Sequence, residues 1–586
     1  MQHVRLLAHS LWESRWSQLA ARLRLMIKRK AMVRLRSLGA RPGRWYREPA
    51  PTARGIVDPA GSVRGDVAAN SQLPLRVNLV GTAWEVDVGM EWNPHELDRG
   101  TRLEKLHLHY MEYLTKLASE HALRLMMDWV ARVPPYLPGY AKDTWNCYAL
   151  SIRVVTWMDL LTGHGRGAGI ACPRIIDQSI AAQLRFLADN LESDIGGNHL
   201  MKNIRALLRG GRYFEGTEAD AWLRRGLREL SAQLREQVLP DGLHFELSPS
   251  YHLQVLEDLM DMRRVLVSVG TETGSDAGTA AQLLHELDSG LRRMALTARR
   301  LTHPDELPSL FADGGLHMAS PARSLLATLA LWGVIEHGEV GRALGSWRLP
   351  DGGYAGFGSE RGLIVVDCGP VGARHLPSHG HGDALSIEWS VAGRRCIVDA
   401  GVFEYHAGPH RAFSRSTAAH NTITLDDLDQ SEFWSSFRVA RRANVCVEDW
   451  QPRADGFRLT ASHDGYRRLG GCPIHRRTID ATADRIVVGD SVQGGAGQMI
   501  CARLLLAPDT RVGVPARDTG GQWRVRLTLP SNAAGEYIRA EVVSSAPIRT
   551  ATVDASPDFG ELVPSIQIVM DGVHAPGHID WSITVK

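Results

Sequence analysis

Cysteine is scarce in this chain, and its spacing forms no motif. Seven cysteines are spread over 586 residues, and none forms a Cys-x-x-Cys pair. The odd number argues against a complete disulfide framework, and the missing pairs argue against a thiolate metal site. We therefore expect small, buried thiols.

Long apolar runs and an excess of one charge are also missing. No stretch approaches the length of a transmembrane helix. Glu13, Arg15 and Arg22 interrupt the apolar residues near the start, so no signal peptide is recognisable. Lys and Arg total 67 against 65 Asp and Glu, a net charge of only +2. That balance excludes the global basic field typical of nucleic-acid-binding proteins.

Three widespread catalytic motifs are absent as well. The sequence contains no GxxxxGK[ST] phosphate loop, no GxSxG elbow and no HExxH helix. Their absence removes the commonest nucleotide-binding, serine-hydrolase and zinc-peptidase interpretations.

The apolar pattern predicts three regions. Residues 1–75 contain a basic amphipathic helix over residues 5–36 and a connector rich in Pro, Gly and Arg. Residues 76–345 repeat the three- and four-residue apolar spacings of helices, and residues 346–586 contain short alternating runs that predict an antiparallel β-sandwich. This order favours separate α and β domains. We interpret the basic helix as packed on the body, with a peripheral membrane contact as the alternative.

The segment from Ser378 to Asp383 is the richest in chemical groups. In an extended chain, His379, His381 and Asp383 would point to the same side, and the glycines between them permit close approach of a ligand. A polar loop with surface histidines is the simpler alternative.

Two residues downstream are candidates to join His381 in a metal site. Asp399 and His420 each lie beside a strand-like run. Two histidines and a carboxylate with an open position suit Zn²⁺. The alternative needs no metal. In that case Asp399 caps a turn, and His420 is a core histidine whose hydrogen bonds are satisfied within the protein.

Polar residues in three other segments are further candidates. Asn198 and His199 stand before a helical stretch, where Asn198 is either an N-cap or an amide that meets a substrate carboxylate. Tyr251 follows Ser-Pro-Ser, so its hydroxyl projects into a cleft or its ring packs at a helix start. Arg411 and Arg415 suit either an anionic sugar or local carboxylates.

Taken in order, these segments resemble the heparinase II/III-like polysaccharide lyases and the related alginate lyases. The resemblance covers most of the chain after the N-terminal region, and the family's fold is an α/α toroid, often incomplete, followed by an antiparallel β-sandwich. Residues 1–75 lie outside this resemblance. In this respect the chain is similar to the branch of the family that is associated with bacterial exopolysaccharide production. Its markers are Trp92-Asn93, Tyr148 to Arg153, Gly197 to Leu200, Phe245 to His252, His379 to Asp383, and Arg415 to Thr417 leading into His420 to Thr422.

The resemblance implies a role for each matched residue. Asn198 corresponds to the residue that neutralises the uronate carboxylate, and His199 to the position beside it. Tyr251 and His379 correspond to the catalytic pair. The implied zinc ligands, which would order a loop, are His381, Asp399 and His420, and no organic cofactor is implied. The residues expected to bind substrate are Tyr148, Arg153, Tyr405, Arg411 and Arg415.

The expected reaction is β-elimination at C5 and O4 of a uronic-acid-containing glycan, in a cleft between the two domains. The alternatives are a glycoside hydrolase that uses Glu246 and Asp313, a metal-dependent hydrolase, and a non-catalytic glycan-binding protein in exopolysaccharide production. We expect an acidic polysaccharide as partner and no nucleic acid, and we leave a homodimer open. The expected location is the cytoplasm or periplasm of a bacterium.

Overall fold

A computed structural model describes the chain except for residues 1–4, 7–8, 10–12, 14, 39–48, 55–71, 93–100, 164–172, 271–274 and 532–535. Most of the predicted connector, Asn93 of the first family marker and Cys172 therefore lie outside the described residues. Within the described part of the chain, no helix is long and apolar enough to cross a membrane.

Helices dominate the first half of the chain, as the apolar spacing predicts. Short 3₁₀ turns occur at Glu112–Lys116, His337–Glu339 and Thr417–Ala419. The α-helices are α1 (Trp16–Ser37), α2 (Arg102–Tyr110), α3 (Ser119–Arg132), α4 (Cys147–Thr162), α5 (Arg174–Asp189), α6 (Gly197–Tyr213), α7 (Thr217–Gln237), α8 (Pro249–Gly270), α9 (Ser275–Leu301), α10 (Ala322–Leu331) and α11 (Pro409–Arg415).

Strands dominate the second half, and every strand pair is antiparallel. The strands are β1 (Leu75–Leu79), β2 (Thr82–Val86), β3 (Gly345–Leu349), β4 (Tyr354–Ser359), β5 (Gly362–Asp367), β6 (Ile387–Val391), β7 (Arg394–Ile397), β8 (Ile423–Leu425), β9 (Phe433–Ser435), β10 (Arg438–Val439), β11 (Val445–Pro452), β12 (Gly456–His463), β13 (Ile474–Thr482), β14 (Arg485–Gln493), β15 (Met499–Leu505), β16 (Arg511–Val512), β17 (Ala516–Arg517), β18 (Trp523–Pro530), β19 (Tyr537–Ser544), β20 (Ile548–Ala555), β21 (Val563–His574) and β22 (Gly577–Val585).

The chain divides into two compact units. The strand-rich unit contains Met1–Ser14, Gln237–Gln254 and Arg292–Lys586, and the helical unit contains Arg15–Glu236 and Val255–Leu291. Residues 237–254 and 292–345, which the sequence-based boundaries assign to the helical domain, therefore belong with the strands. Tyr251 lies in the first of these segments.

The helical unit is built around α4. Asn146 begins this helix by accepting hydrogen bonds from the backbone N–H groups of Tyr148 and Ala149 at 3.0 and 3.3 Å, an N-cap. Gly163 ends it in the left-handed conformation at φ 77°, which glycine adopts without strain. Nearly every side chain of α4 is buried, which is typical of a central helix surrounded by others.

The strand-rich unit contains three larger antiparallel sheets. One has nine strands, with the order β11-β12-β13-β14-β22-β19-β18-β16 and β17 paired to β18, and the others are β20-β21-β15-β8 and β3-β4-β5-β6-β7. Side chains from all three share one hydrophobic core that includes Trp389, Tyr466 and Trp581. Many strands of the large sheet alternate between buried and partly exposed residues, as expected for a sheet with one face on the core.

A buried ion pair joins the large sheet to two loops of the same unit. Arg477 of β13 binds both carboxylate oxygens of Asp490 at 2.6 and 2.8 Å. It also donates to the carbonyls of Leu385 and Asn421 at 2.6 and 2.7 Å. Asn421 follows His420, and Leu385 lies two residues after Asp383, so the sheet supports both predicted site segments.

Candidate functional site

The carboxylate of Asp313 forms the centre of a buried cluster in the strand-rich unit. Its Oδ2 accepts a hydrogen bond from His379 Nδ1 at 2.9 Å, and its Oδ1 accepts one from His381 Nε2 at 2.8 Å. Arg411 donates to the same two oxygens. Burial alone would raise the pKa of Asp313, but Arg411 and the two histidines hold it well below its usual range. Asp313 is therefore an anion that fixes both imidazole rings.

A second carboxylate lies on the other side of His379. Glu246 Oε2 is 3.2 Å from His379 Nε2, so each ring nitrogen of His379 faces an acidic oxygen. Burial alone would lower the pKa of His379, but Glu246 and Asp313 raise it to about 9. His379 is thus held as an imidazolium in the resting site.

Tyr251 stacks on His379 and shares a hydrogen bond with Tyr405. The ring centroids of Tyr251 and His379 are 4.2 Å apart, and the Tyr251 and Tyr405 hydroxyls are 2.8 Å apart. Burial raises the pKa of Tyr251 well above its usual value, and Tyr405, Asp313 and Glu246 add to this effect. The predicted catalytic residues Tyr251 and His379 are therefore neighbours, and both hold a proton.

The Ser-Pro-Ser sequence before Tyr251 explains how this side chain is positioned. Ser248 Oγ accepts a hydrogen bond from the backbone N–H of Tyr251 at 3.2 Å, and Pro249 is the first residue of α8. Both features favour a helix start at this point. Ser248 Oγ also donates to the carbonyl of Asp313 at 2.6 Å, so one hydroxyl joins the Tyr251 helix to the Asp313 loop.

Arg411 and Arg415 shape the site instead of facing a substrate, which corrects the expectation that they bind the glycan. They lie one turn apart on α11, and both are buried. Arg411 also donates to the carbonyl of Ser436 at 2.7 Å, and Arg415 donates to the carbonyl of Gly380 at 3.0 Å. The N–H groups of both arginines donate to oxygens of the protein itself. Arg411 pairs with a local carboxylate, which is the second alternative that the sequence leaves open, whereas Arg415 pairs with backbone carbonyls.

Gly380 and Gly382 are required by packing within the protein. A Cβ atom on Gly380 would come within 2.9 Å of Val371 Cγ1, and one on Gly382 within 2.5 Å of Thr417 Oγ1. Asp383, which has no predicted role, accepts a hydrogen bond from the backbone N–H of Ala312 at 3.0 Å. The 379–383 segment therefore rests on the 312–313 loop through three of its side chains.

The predicted zinc ligands lie in the same buried region. His381 and His420 have ring centroids 5.4 Å apart, and His420 Nδ1 donates to Asp399 Oδ2 at 2.8 Å. His381 Nδ1 and His420 Nε2 are buried and have no hydrogen-bond partner among the residues described. Unpaired imidazole nitrogens are the donor type that zinc prefers, so these two atoms fit the ion.

Asp399, the third predicted ligand, does not form a complete metal site with His381 and His420. In this arrangement Asp399 serves as the hydrogen-bond partner of His420, as carboxylates behind metal-binding histidines do. No cluster of three or more His, Cys, Asp or Glu side chains within the described ranges is arranged as a metal site. Asp399 would have to turn away from His420 Nδ1 to bind an ion between the two unpaired nitrogens.

Asn198 and His199 belong to a separate polar cluster in the helical unit. Gly196, with φ 75°, occupies the N-cap position of α6, so Asn198 lies within the first turn and is not the N-cap. His199 Nδ1 is 3.2 Å from Glu192 Oε1, and its ring centroid is 4.4 Å from that of Tyr148. Tyr148 and His199 are partly exposed, whereas Asn198 is buried.

Arg153 is part of the core of the helical unit, which corrects the expectation that it binds substrate. Its guanidinium is fully buried and donates to Gln183 Oε1 at 2.8 Å and to the carbonyl of His109 at 3.0 Å. It also lies 4.1 Å from the ring centroid of Trp129. This guanidinium therefore joins α4 to residues of the neighbouring helices α2, α3 and α5.

From the sequence, Asp313 and Glu246 are predicted only as the acids of a candidate hydrolase. Their contact with His379 is not predicted. Asp313 is 66 residues from His379 along the chain, so no local spacing connects them. One signal is the Asp313-Gly314-Gly315 run. A Cβ atom on Gly314 would come within 2.4 Å of Ser250 Oγ, so this glycine marks a close approach of the 313 loop to the Ser-Pro-Ser segment.

Comparison with known proteins connects this arrangement to one family. A family model described as "Heparinase II/III N-terminus" matches residues 82–330, and one described as "Heparinase II/III-like, C-terminal" matches residues 341–583. A heparin-sulfate lyase of Bacteroides stercoris is 24% identical over 308 residues, which are 48% of this chain and 41% of that protein. The chain therefore spans less than half of that relative's length.

Two further comparisons cover more of the chain. The FtsZ-localized protein C of Caulobacter vibrioides is 25% identical over 549 residues, which are 88% of this chain and 84% of that protein. The crystal structure of heparinase III aligns with a TM-score of 0.69 and 16% identity. The alignment covers 92% of this chain and 88% of the heparinase III chain. This likeness concerns the fold, and it confirms the prediction of a helical toroid followed by an antiparallel sandwich.

Proposed function

The chain belongs to the heparinase II/III-like family, and on that premise we propose that it is a polysaccharide lyase. Its substrate would be an acidic, uronic-acid-containing polysaccharide, cleaved by β-elimination. The observation that carries the proposal is the contact of Tyr251 with His379, whose ring centroids are 4.2 Å apart. Relatives named heparin-sulfate lyases support the same reaction class.

The proposed reaction needs one group that accepts a proton and one that donates a proton. A base removes the proton on C5, next to the carboxyl group, and the released electron pair forms the C4–C5 double bond. The C4–O4 bond breaks, and the departing O4 takes up a proton. We assign Tyr251 and His379 to these two transfers, and the residue that acts as base must first release the proton that it holds in the resting site. Where the C5 hydrogen and O4 lie on the same face of the sugar, one residue can perform both.

The negative charge that develops on the uronate carboxyl group must be stabilised during proton removal. We assign this task to Asn198, with His199 beside it, because an amide N–H is a suitable donor to an oxyanion. Tyr148 and Tyr405 remain our candidates for sugar contacts, since both are partly exposed. The arginines 153, 411 and 415 have no place in this proposal.

The two carboxylates beside His379 argue against the hydrolase alternative. A glycoside hydrolase needs two carboxyl groups on opposite sides of the scissile bond, separated by about 5–10 Å. Here Glu246 and Asp313 both bind the ring of His379. Their hydrogen bonds serve the histidine and leave no free acid and base pair for hydrolysis.

The proposal is tested with the full chain and a panel of heparan sulfate, chondroitin sulfate and alginate. Elimination creates a double bond conjugated with the carboxyl group, so ultraviolet absorbance should rise with time on at least one substrate. New reducing ends without that absorbance would mean hydrolysis and would contradict the proposal. The same panel includes uronic acids of different configuration, so it also identifies the preferred sugar.

We also propose that His381, His420 and Asp399 bind one zinc ion, which requires Asp399 to turn from His420 Nδ1 toward the ion. Their unpaired nitrogens and carboxylate would bind and orient the ion, and the bound ion would supply charge that orders the 379–383 segment next to His379. Metal analysis of the purified full chain should give about one zinc per chain, and His420→Ala should lose it. A His420→Ala protein that keeps its zinc would contradict this ligand assignment.

A second candidate function is supported by the relative named FtsZ-localized protein C, which aligns with 88% of this chain. In that case the chain would be recruited by FtsZ and keep the fold without cleaving glycans. A pull-down of purified FtsZ by the full chain tests this candidate. Binding of FtsZ together with no cleavage of any glycan would favour it over the lyase.

A further inference from the structure

Helix α1 (Trp16–Ser37) has a one-sided charge that the rest of the chain lacks. It contains seven Lys and Arg residues and no Asp or Glu. The whole chain has nearly equal numbers of both signs, 67 against 65. A helix whose charged side chains are all positive is therefore a local feature of the surface.

One face of α1 is fastened to the helical unit. Leu25 is fully buried, and Arg22 lies 3.8 Å from Asp194. Lys28 donates to the carbonyl of Asp189 at 3.0 Å, and Arg36 donates to the carbonyl of Pro135. These four residues lie on the same side of the helix, so α1 is held with a fixed orientation.

The opposite face combines exposed apolar and basic side chains. Trp16, Leu23 and Ile27 are 86%, 53% and 58% exposed. At about 100° per residue, these three and Arg34 lie within about 20° of one line along the helix. Lys30 is beside this line, and the side chains of Arg24, Lys30 and Arg34 form no hydrogen bond or ion pair with any described residue.

Helix α1 has a large share of the exposed apolar side chains. Six of the 17 exposed large hydrophobic side chains of the described ranges lie on α1 or at its end: Trp16, Leu23, Met26, Ile27, Leu35 and Leu38. Single exposed apolar residues are common on protein surfaces, but aligned ones mark interaction sites. We define the outer face of α1 as the surface formed by Trp16, Leu23, Arg24, Ile27, Lys30 and Arg34.

We propose that the outer face of α1 docks on the surface of an anionic lipid bilayer. A helix that lies in the interface buries apolar side chains below the headgroups and holds basic ones at the phosphates. Trp16 is the residue type that prefers this interface. The helix lies on the membrane and does not cross it, in agreement with the lack of a spanning helix among the described residues.

The composition of the outer face favours lipid over other partners. A nucleic acid would pair with Arg24, Lys30 and Arg34 but would leave Leu23 and Ile27 against phosphates. A second copy of the chain would bring the same positive charges together. An anionic bilayer satisfies the basic and the apolar residues at once. This proposal does not depend on the proposed catalytic activity.

The test is flotation of the full chain with lipid vesicles. One set contains phosphatidylcholine alone, and the other contains phosphatidylcholine with phosphatidylglycerol. We expect binding to the second set, weakened by added salt because salt screens surface charge. Each basic residue at the surface contributes about fivefold in partitioning, so a variant with Arg24→Gln, Lys30→Gln and Arg34→Gln should lose on the order of a hundredfold.

Variants of the apolar residues complete the test. Leu23→Glu with Ile27→Glu should weaken vesicle binding by on the order of tenfold or more. Leu331→Glu, at a still more exposed leucine on α10, is the control and should bind like the unchanged protein. Circular dichroism checks that each variant is folded.

Three results would overturn the proposal. These are no binding to phosphatidylglycerol vesicles at low salt, equal binding to both vesicle types, or unchanged binding by the Leu23→Glu and Ile27→Glu variant. A dimer that this variant converts to a monomer, without vesicle binding by the unchanged chain, would assign the outer face of α1 to a second copy.

Discussion

Asp313 and His379 contact each other through both side chain and backbone. The carboxylate of Asp313 accepts from His379 Nδ1 at 2.9 Å, and the backbone N–H of Asp313 donates to the carbonyl of His379 at 2.9 Å. A residue bonded at both points has a fixed ring orientation and a fixed backbone position. Because Asp313 also binds His381, it connects the proposed catalytic histidine to the proposed zinc ligand.

Replacing Asp313 by asparagine should reduce turnover more than it reduces substrate affinity. The amide keeps the size of the side chain but removes the charge that orients His379. It also removes the charge that balances the buried Arg411, so a thermal melt must show that the variant is folded when kcat is measured. We expect kcat to fall by on the order of a hundredfold or more, with a smaller change in KM, on whichever glycan the unchanged chain cleaves. Asp571→Asn, in a pair with Arg549 at 2.8 Å near the surface, is the control and should leave kcat unchanged.

Tyr251→Phe should abolish turnover without unfolding the protein. The change removes only the hydroxyl, which lies 2.8 Å from the hydroxyl of Tyr405, and keeps the ring that packs on His379. Loss of a proton-transfer group costs about 10²–10⁴-fold in rate. Tyr537→Phe, at a tyrosine that is half exposed, should retain full activity, and retention of activity by Tyr251→Phe would disprove the assignment.

Removing the charge of Asp490 should strongly destabilise the strand-rich unit. Asp490 pairs with Arg477 in the protein interior, so Asp490→Asn leaves a buried cation without its partner. We expect a loss of about 3–5 kcal/mol in the free energy of unfolding, measured by urea denaturation. Asp480→Asn, in the exposed pair with Arg453, should cost less than about 1 kcal/mol. Equal losses in the two variants would contradict this account.

Gly382→Ala should displace the segment that holds the two site histidines. The added Cβ would meet Thr417 Oγ1 at 2.5 Å and its backbone nitrogen at 2.9 Å, so the backbone must shift. We expect a loss of about 1–3 kcal/mol in the free energy of unfolding together with lower activity. Gly338→Ala, where a Cβ meets nothing within 4 Å, should change neither quantity.

The order of helices and strands was predictable because apolar periodicity is a local property. Most residues of α4 are apolar, and β13 alternates buried and partly exposed residues, so each carries its own signal. The Ser-Pro-Ser sequence likewise predicts a helix start near Tyr251, and α8 begins two residues earlier, at Pro249. The grouping of Tyr251 with the strands was not predictable, since it depends on contacts far apart along the chain.

The candidate site was predictable in its residue types and only partly in its contacts. His379, His381, Asp399 and His420 stand in recognisable motifs, and they lie together in the structure. The arginines of the same region suggested a substrate because charged side chains are usually exposed. Arg411 is buried because Asp313, 98 residues away, neutralises it, and sequence spacing does not reveal such a partner.

Product mass gives the most direct test of the proposed elimination. The full chain is incubated with the glycan that it cleaves from the heparan sulfate, chondroitin sulfate and alginate panel, and the fragments are analysed by mass spectrometry. Elimination adds no water, so the fragments together should have the mass of the parent chain, and each new non-reducing end should carry an unsaturated uronate. Fragments whose summed mass exceeds that of the parent by one water for each cleaved bond, or no fragments from any of the three glycans, would contradict the account.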